Sequence, residues 1–154
     1  MEAYRLVQAE WQDAELIAPL FNDYRVFYGK QPDSAGALQF IQERLRAEES
    51  VLFMALKDEA GSSQAGGFVQ LYPSFSSVTM QRLWILNDLY VAEHLRGLGL
   101  GKLLLEGVRE YAVNRGSKGL TLTTMTDNIR AQRLYEAQGY IRDEEFYTYD
   151  LIFK

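Results

Sequence analysis

At 154 residues, with 47% hydrophobic and 24% charged side chains, the chain is expected to form one domain over residues 1–154 whose core needs no metal or disulfide support. A formal net charge of -5 argues against binding that works by neutralising a nucleic-acid backbone. The absence of cysteine and the presence of one histidine, His94, exclude disulfides, thiolate chemistry and multi-histidine centres, so no metal is expected and His94 is assigned no role.

The first residues, MEAYRLVQAEWQDAEL, carry acidic groups where a signal peptide would be apolar, and no run approaches about 18 consecutive apolar residues. A cytoplasmic protein with no membrane partner is the expectation. AYRLVQA reads as a first strand, and WQDAELIAPLFNDYRVFYGK as a helix with Ile17, Leu20, Phe21, Tyr24 and Tyr28 on one stripe and Asp13 as its cap. After KQPDSAG, a second helix places Leu38, Ile41 and Leu45 at helical spacing. VLFMALKD and GFVQLYPSF form a hairpin across the turn DEAGSSQAGG, and SVTMQRLWILNDLYV extends it into an antiparallel meander.

GLGKLLLEGVREYAVNRG is an amphipathic helix stopping at Gly116, KGLTLTTMT a strand, and DNIRAQRLYEAQG a helix stopping at Gly139. YIRDEEFYTYDLIFK supplies one or two final strands. The order β-α-α-β-β-β-α-β-α-β(-β) predicts an α/β (α+β) fold: a mixed, mostly antiparallel sheet of six to seven strands with helices on both faces.

Between the meander and the third helix lies YVAEHLRGLGLGKLLLEG. Gly97, Gly99 and Gly101 let successive amides approach one point at a helix N-terminus, a place that favours an anion, and Arg96 and Lys102 flank it with positive charge. A pyrophosphate suits it. The Walker A spacing fails because Lys102 is followed by Leu103 and its first glycine falls on Arg96. The dinucleotide fingerprint fails because Lys102 stands where a glycine is required. What remains is R-x-x-G-x-G after a strand and opening a helix. Farther on, Asn128, Ala131 and Tyr135 form a stripe on one helix face, an amide, a small residue and a phenol that suit a thin amide-bearing chain.

YVAEHLRGLGLGKLLLEG resembles the acyl-CoA pyrophosphate motif of the GNAT superfamily of N-acetyltransferases, TDNIRAQRLYEAQGY resembles the helix that follows it, and the element order agrees over nearly the whole chain. LNDLYV and DNIRAQRLYEAQGY are similar to the small polyamine and histone-type members. The resemblance implies acetyl-CoA as co-substrate, held by Leu89, Tyr90 and Val91, by Arg96 through Lys102 with Leu98 and Leu100 included, and by Asn128, Ala131 and Tyr135. It also implies an acceptor cleft near the first helices, where Tyr24, Phe27 and Tyr28, with Tyr72 and Trp84, are the candidates.

An alkyl ammonium with pKa about 10.4 must lose a proton before it can attack, at a cost of roughly 4 kcal/mol near neutral pH. Asp88 is the one carboxylate on its strand and the candidate base. In polyamine-type relatives the position of Asn87 tends to be acidic; here it is an amide. Tyr135 is the expected general acid toward the departing thiolate, and strand amides at Leu89 to Val91 the expected donors to the acyl oxygen. Without cysteine, direct transfer in a ternary complex is favoured over a covalent route. The expected acceptor is a primary amine of a small molecule, polyamine- or amino-acid-like, or a protein lysine. The alternative is a catalytically inactive acyl-CoA-binding sensor or regulatory subunit. The alternation of Tyr147, Tyr149, Leu151 and Phe153 suggests a homodimer.

Overall fold

The structure, a computed structural model, describes residues 4–153. Ala3 and Lys154, at the ends of two expected strands, lie outside the described residues. Two compact units are present, one running to Thr123 and the other beginning at Thr124.

In the first unit, β1 (Arg5–Gln8) leads through a 3-10 turn (Trp11–Asp13) to α1 (Ala14–Phe27) and α2 (Ser34–Arg46). The strands β2 (Val51–Glu59), β3 (Ser62–Ser76) and β4 (Gln81–Val91) follow, then α3 (Leu100–Asn114) and β5 (Gly119–Thr121). The sheet order is β1-β2-β3-β4-β5, antiparallel except where β4 meets β5. Asp13 does not cap α1 with its side chain; its carboxylate accepts the Glu10 N–H at 2.8 Å and closes the 3-10 turn instead. The β2–β3 turn is also tighter than the polar run DEAGSSQAGG suggests. Ala60 (φ 54) and Gly61 (φ 80) make a two-residue hairpin of the type that matches strand twist, so the serines after it are already in β3.

Period-two alternation divides the sheet into two apolar faces. Leu52, Met54, Leu56 and Phe68 join Ile17, Leu20, Phe21, Ala37 and Ile41 of α1 and α2 in one buried cluster. The opposite face takes α3: Phe53 and Trp84 meet the Tyr111 ring at 5.6 and 5.5 Å, and a Cβ on Gly107 would collide with the Leu6 side chain, so α3 lies close on β1. Helices therefore cover both faces. Each fully buried side chain such as Ile17, Ile41 or Leu104 contributes roughly 1.5–3 kcal/mol relative to remaining in water.

The second unit holds α4 (Ile129–Ala137), opened by Asn128, whose Oδ1 accepts the Ala131 N–H at 3.1 Å. The Tyr135 and Tyr140 rings pack at 5.7 Å between centroids. Beyond Thr121 no described residue belongs to a strand, so the sheet has five strands rather than six or seven, and 140–153 contribute none. A strand exists only through ladder partners, which alternation in a sequence cannot supply. The same reason shortens the expected strand KGLTLTTMT to Gly119–Thr121.

Candidate active site

The site grows from an irregularity in β4. Leu71 pairs with Leu86 but Gln70 pairs with Asp88, which leaves Asn87 as an extra residue in the strand. Such a bulge reverses the alternation beyond it and re-aims side chains. Trp84 and Leu86 therefore face α3, while Asp88 and Tyr90 share the opposite face with their partners Gln70 and Phe68. Without the extra residue Asp88 would point at α3.

Asp88 is 5% exposed, and two amides hold it. Gln70 Nε2 donates to Oδ2 at 2.8 Å, and Asn87 Nδ2 donates to Oδ1 at 3.1 Å. Gln70 is wholly buried, yet its Oε1 accepts no hydrogen bond. A buried acceptor left in this state is costly, so this carbonyl, beside the carboxylate, lacks an N–H or O–H donor. Sequence reasoning missed Gln70; the signal was a lone amide inside the apolar run FVQLY. Tyr72 lies near the same carboxylate. Its phenol is pushed up to about 12 by burial first and the Asp88 charge second, with Arg44 pulling the other way.

Beyond the bulge, the Ala92 N–H donates to Gly66 O at 2.9 Å, on the β3 side. Alternation then turns the amides of Leu89 and Val91 to the other side, where β5 pairs only with Leu83 to Ile85. Along that edge, among the described residues, the backbone of Leu89 to Val91 has no strand neighbour.

The chain next makes a 3-10 turn (Glu93–Leu95) and enters the glycine loop. Gly97 (φ 81) and Gly99 (φ 89) take left-handed backbone conformations that other residues adopt only under strain, whereas Gly101 is already inside α3. No side chain caps α3, and the first helical bond runs from Leu103 N–H to Gly99 O. The amides of Leu100, Gly101 and Lys102 thus precede the helical ladder and are left for an outside acceptor. Lys102 is exposed and stands 3.9 Å from Glu106. Arg96 is used differently from a simple phosphate ligand: its Nε donates to Val91 O at 3.1 Å, and its guanidinium lies 5.4 Å from the Tyr90 ring and 5.6 Å from Phe27. It ties the loop back onto β4. Burial pushes the Tyr90 phenol up, against the opposing pull of Arg96.

A family-level comparison matches residues 9–140 to the acetyltransferase (GNAT) family. The chain belongs to that family. It is 48% identical over 144 residues, 94% of each chain, to the uncharacterized N-acetyltransferase YhfO of Bacillus subtilis. A solved structure described as a probable acetyltransferase superposes with a TM-score of 0.90 at 41% identity, covering 97% of this chain and 98% of its own. An Arabidopsis thaliana protein named L-ornithine N5-acetyltransferase NATA1 is 28% identical over 70% of this chain and 47% of its own length. The protein is accordingly an acyltransferase, and members of this family use acetyl-CoA as co-substrate. The donor set fits that molecule: uncovered amides at the start of α3 suit a diphosphate, and an unpaired strand edge suits an amide-bearing chain.

In this acetyltransferase the candidate acceptor aromatics fall into two groups. Tyr24 packs on Tyr90, Phe68 and Tyr28 at 5.9, 5.9 and 5.1 Å, and Phe27 on Tyr28 at 5.3 Å. Through Arg96 this cluster adjoins the glycine loop, and Tyr72 shares its sheet face with Asp88. Trp84 does not join them. It is 6% exposed on the α3 face, where its indole N–H donates to Ser117 Oγ at 2.9 Å, because it precedes the bulge. In the second unit Asn128 Oδ1 is engaged by its own helix, and Ala131 and Tyr135 follow on α4, both partly buried.

Proposed function

We propose that the protein transfers the acetyl group of acetyl-CoA directly to a primary amine of a small molecule, amino-acid- or polyamine-like, within a ternary complex, and works as a homodimer. The reading rests chiefly on the bulge at Asn87, which brings a buried carboxylate and the unpartnered carbonyl of Gln70 onto one face: two acceptors suited to an ammonium group or to a water next to it. The ammonium loses one proton to solvent to become the neutral nucleophile, and Asp88 takes a second from the nitrogen as it bonds to the acyl carbon. As the nitrogen bonds to the acyl carbon, the amides of Leu89 and Val91 hold the acyl oxygen while it gains negative charge. When the carbon–sulfur bond breaks, the Tyr135 phenol gives its proton to the departing thiolate, whose conjugate thiol is the stronger acid at pKa about 8.5; the phenolate regains a proton from solvent. Arg96 through Lys102 hold the diphosphate, Asn128 and Ala131 the pantetheine arm, and Tyr24, Phe27, Tyr28 and Tyr72 line the acceptor side.

Thiol release measured across a panel of ornithine, thialysine, polyamines and lysine peptides tests this. Turnover with a small primary amine is expected, together with a kcat/KM lowered about 100-fold in Asp88→Asn. A thermal shift with acetyl-CoA but no turnover on any amine would instead identify an acyl-CoA sensor and reject the enzyme mechanism for this chain.

A further inference from the structure

The polar groups on the α1/α2 face of the sheet do not end at Asp88. Two residues along β3 from Gln70, and about 7 Å farther on, Tyr72 stands on the same face. Continuing the β2–β3 register beyond the pair of Val51 and Leu71 places Ser50 opposite Tyr72. Ser50 is 8% exposed, and its Oγ, like Gln70 Oε1, has no hydrogen-bond partner among the described residues. Buried polar groups left in this state ask for a ligand or a water to complete them.

In this direction the sign of the charge changes. Arg44 stacks its guanidinium 4.6 Å from the centre of the Phe40 ring, Phe40 stacks on Phe21 at 5.6 Å, and Phe21 meets Phe68 of β3 at 6.1 Å, which sets Arg44 on the α1/α2 side of the sheet. Its Nε donates to Oε1 of Glu49, the neighbour of Ser50, at 2.9 Å, and its Nη2 stands 3.7 Å from Glu43. Both of those carboxylates are more than half exposed, so water screens them, whereas the Arg44 side chain is 24% exposed. The Glu49 bond and the ring stack fix the guanidinium plane, and its terminal N–H groups have room for a further acceptor beyond the long Glu43 contact. The charges of Asp88 and Arg44 both reach the Tyr72 phenol, with opposite effect.

We infer that the acceptor carries a carboxylate as well as the reacting amine, an amino acid rather than a polyamine, and that Arg44 is the residue that selects it. The amine meets Asp88, and the carboxylate meets the Arg44 guanidinium beside the Tyr72 and Ser50 hydroxyls, so the charges of the acceptor run opposite to those of the site. A polyamine offers only ammonium groups and would set its second cation against Arg44. The inference rests on the transfer reaction proposed above and names its acceptor class.

Ornithine and putrescine, and likewise lysine and cadaverine, differ by one carboxylate. Thiol release from acetyl-CoA is measured with each pair, for the wild type and for Arg44→Met and Arg44→Lys checked for folding by circular dichroism. The wild type is expected to favour the amino acid of at least one pair by about 30-fold or more in kcat/KM. Arg44→Met is expected to bring that ratio to within about threefold of unity, chiefly by raising the KM of the amino acid, and Arg44→Lys, which keeps the charge but not the fork, to leave it in between. A wild type that uses putrescine and cadaverine as well as their amino acids overturns the inference and leaves the transfer reaction standing. An Arg44→Met variant that lowers both members of a pair by the same factor overturns the role of Arg44. No turnover with any amine overturns the transfer reaction and the inference together.

Discussion

The helices α2 and α4 begin under side-chain caps, and α3 does not. Asp33 Oδ1 accepts the Gly36 N–H at 2.9 Å and Asn128 Oδ1 the Ala131 N–H at 3.1 Å, while α3 starts at Gly99 with bare amides. A cap stabilises a helix by about 1 kcal/mol. Packing explains which helix can do without it. Leu100, Leu104, Leu105, Val108 and Ala112 of α3 are buried, whereas no residue of α4 is. The helix anchored by its apolar face leaves its first donors open, as the proposed diphosphate site requires; the helix with no buried residue uses its own asparagine to hold its first turn. In the proposed mechanism the contribution of α4 therefore comes from side chains further along, Tyr135 foremost.

The sharpest test of this contrast is Tyr135→Phe, expected to lower kcat about 100-fold while the acetyl-CoA KM changes by no more than about twofold. Steady-state kinetics reads both, and an unchanged kcat removes Tyr135 from the mechanism. Next is Gly99→Val. A Cβ there meets nothing within 4 Å, so the penalty lies in the backbone at φ +89; strain of roughly 1–3 kcal/mol corresponds to about a 5- to 150-fold loss of acetyl-CoA affinity by calorimetry. Unaltered affinity would mean that the bare end of α3 is not where the coenzyme docks.

The capped helices should respond in stability. Asp33→Ala is expected to cost about 1 kcal/mol in urea unfolding with kcat unchanged, and Asn128→Ala to speed amide exchange within α4. If removing either cap leaves these measurements alone, the division between capped and bare ends loses its energetic basis. The smallest effect concerns Tyr72. With its phenol pushed up to about 12 in the fold, unfolding releases a proton between the ordinary tyrosine pKa near 10 and about 12, so stability falls as pH rises through that window. Tyr72→Phe should flatten that part of a stability-versus-pH curve.

Much of this was legible in the residues. The α1 stripe is buried at Ile17, Leu20 and Phe21, and the stop at Gly116 and the stop at Gly139 fall just past α3 and α4. The glycine loop was recognisable because its chemistry is local: left-handed turns and an open helix start depend on a few consecutive residues. The bulge was not. Buried Trp84, Leu86 and Asp88 continue a plain period of two, which hides the extra residue that places Asp88 on the face opposite Trp84. Only the register with β3 shows it, and Gln70 becomes a partner of Asp88 only through that register.

The order and type of the elements up to α4, and the anion-seeking loop between β4 and α3, follow from spacing within short windows, where side-chain period and glycine freedom act. What tertiary structure decided is which segments become strands and which face each side chain takes. Ladder bonds join residues far apart in the chain, so apolar alternation at 140–153 does not by itself make a strand.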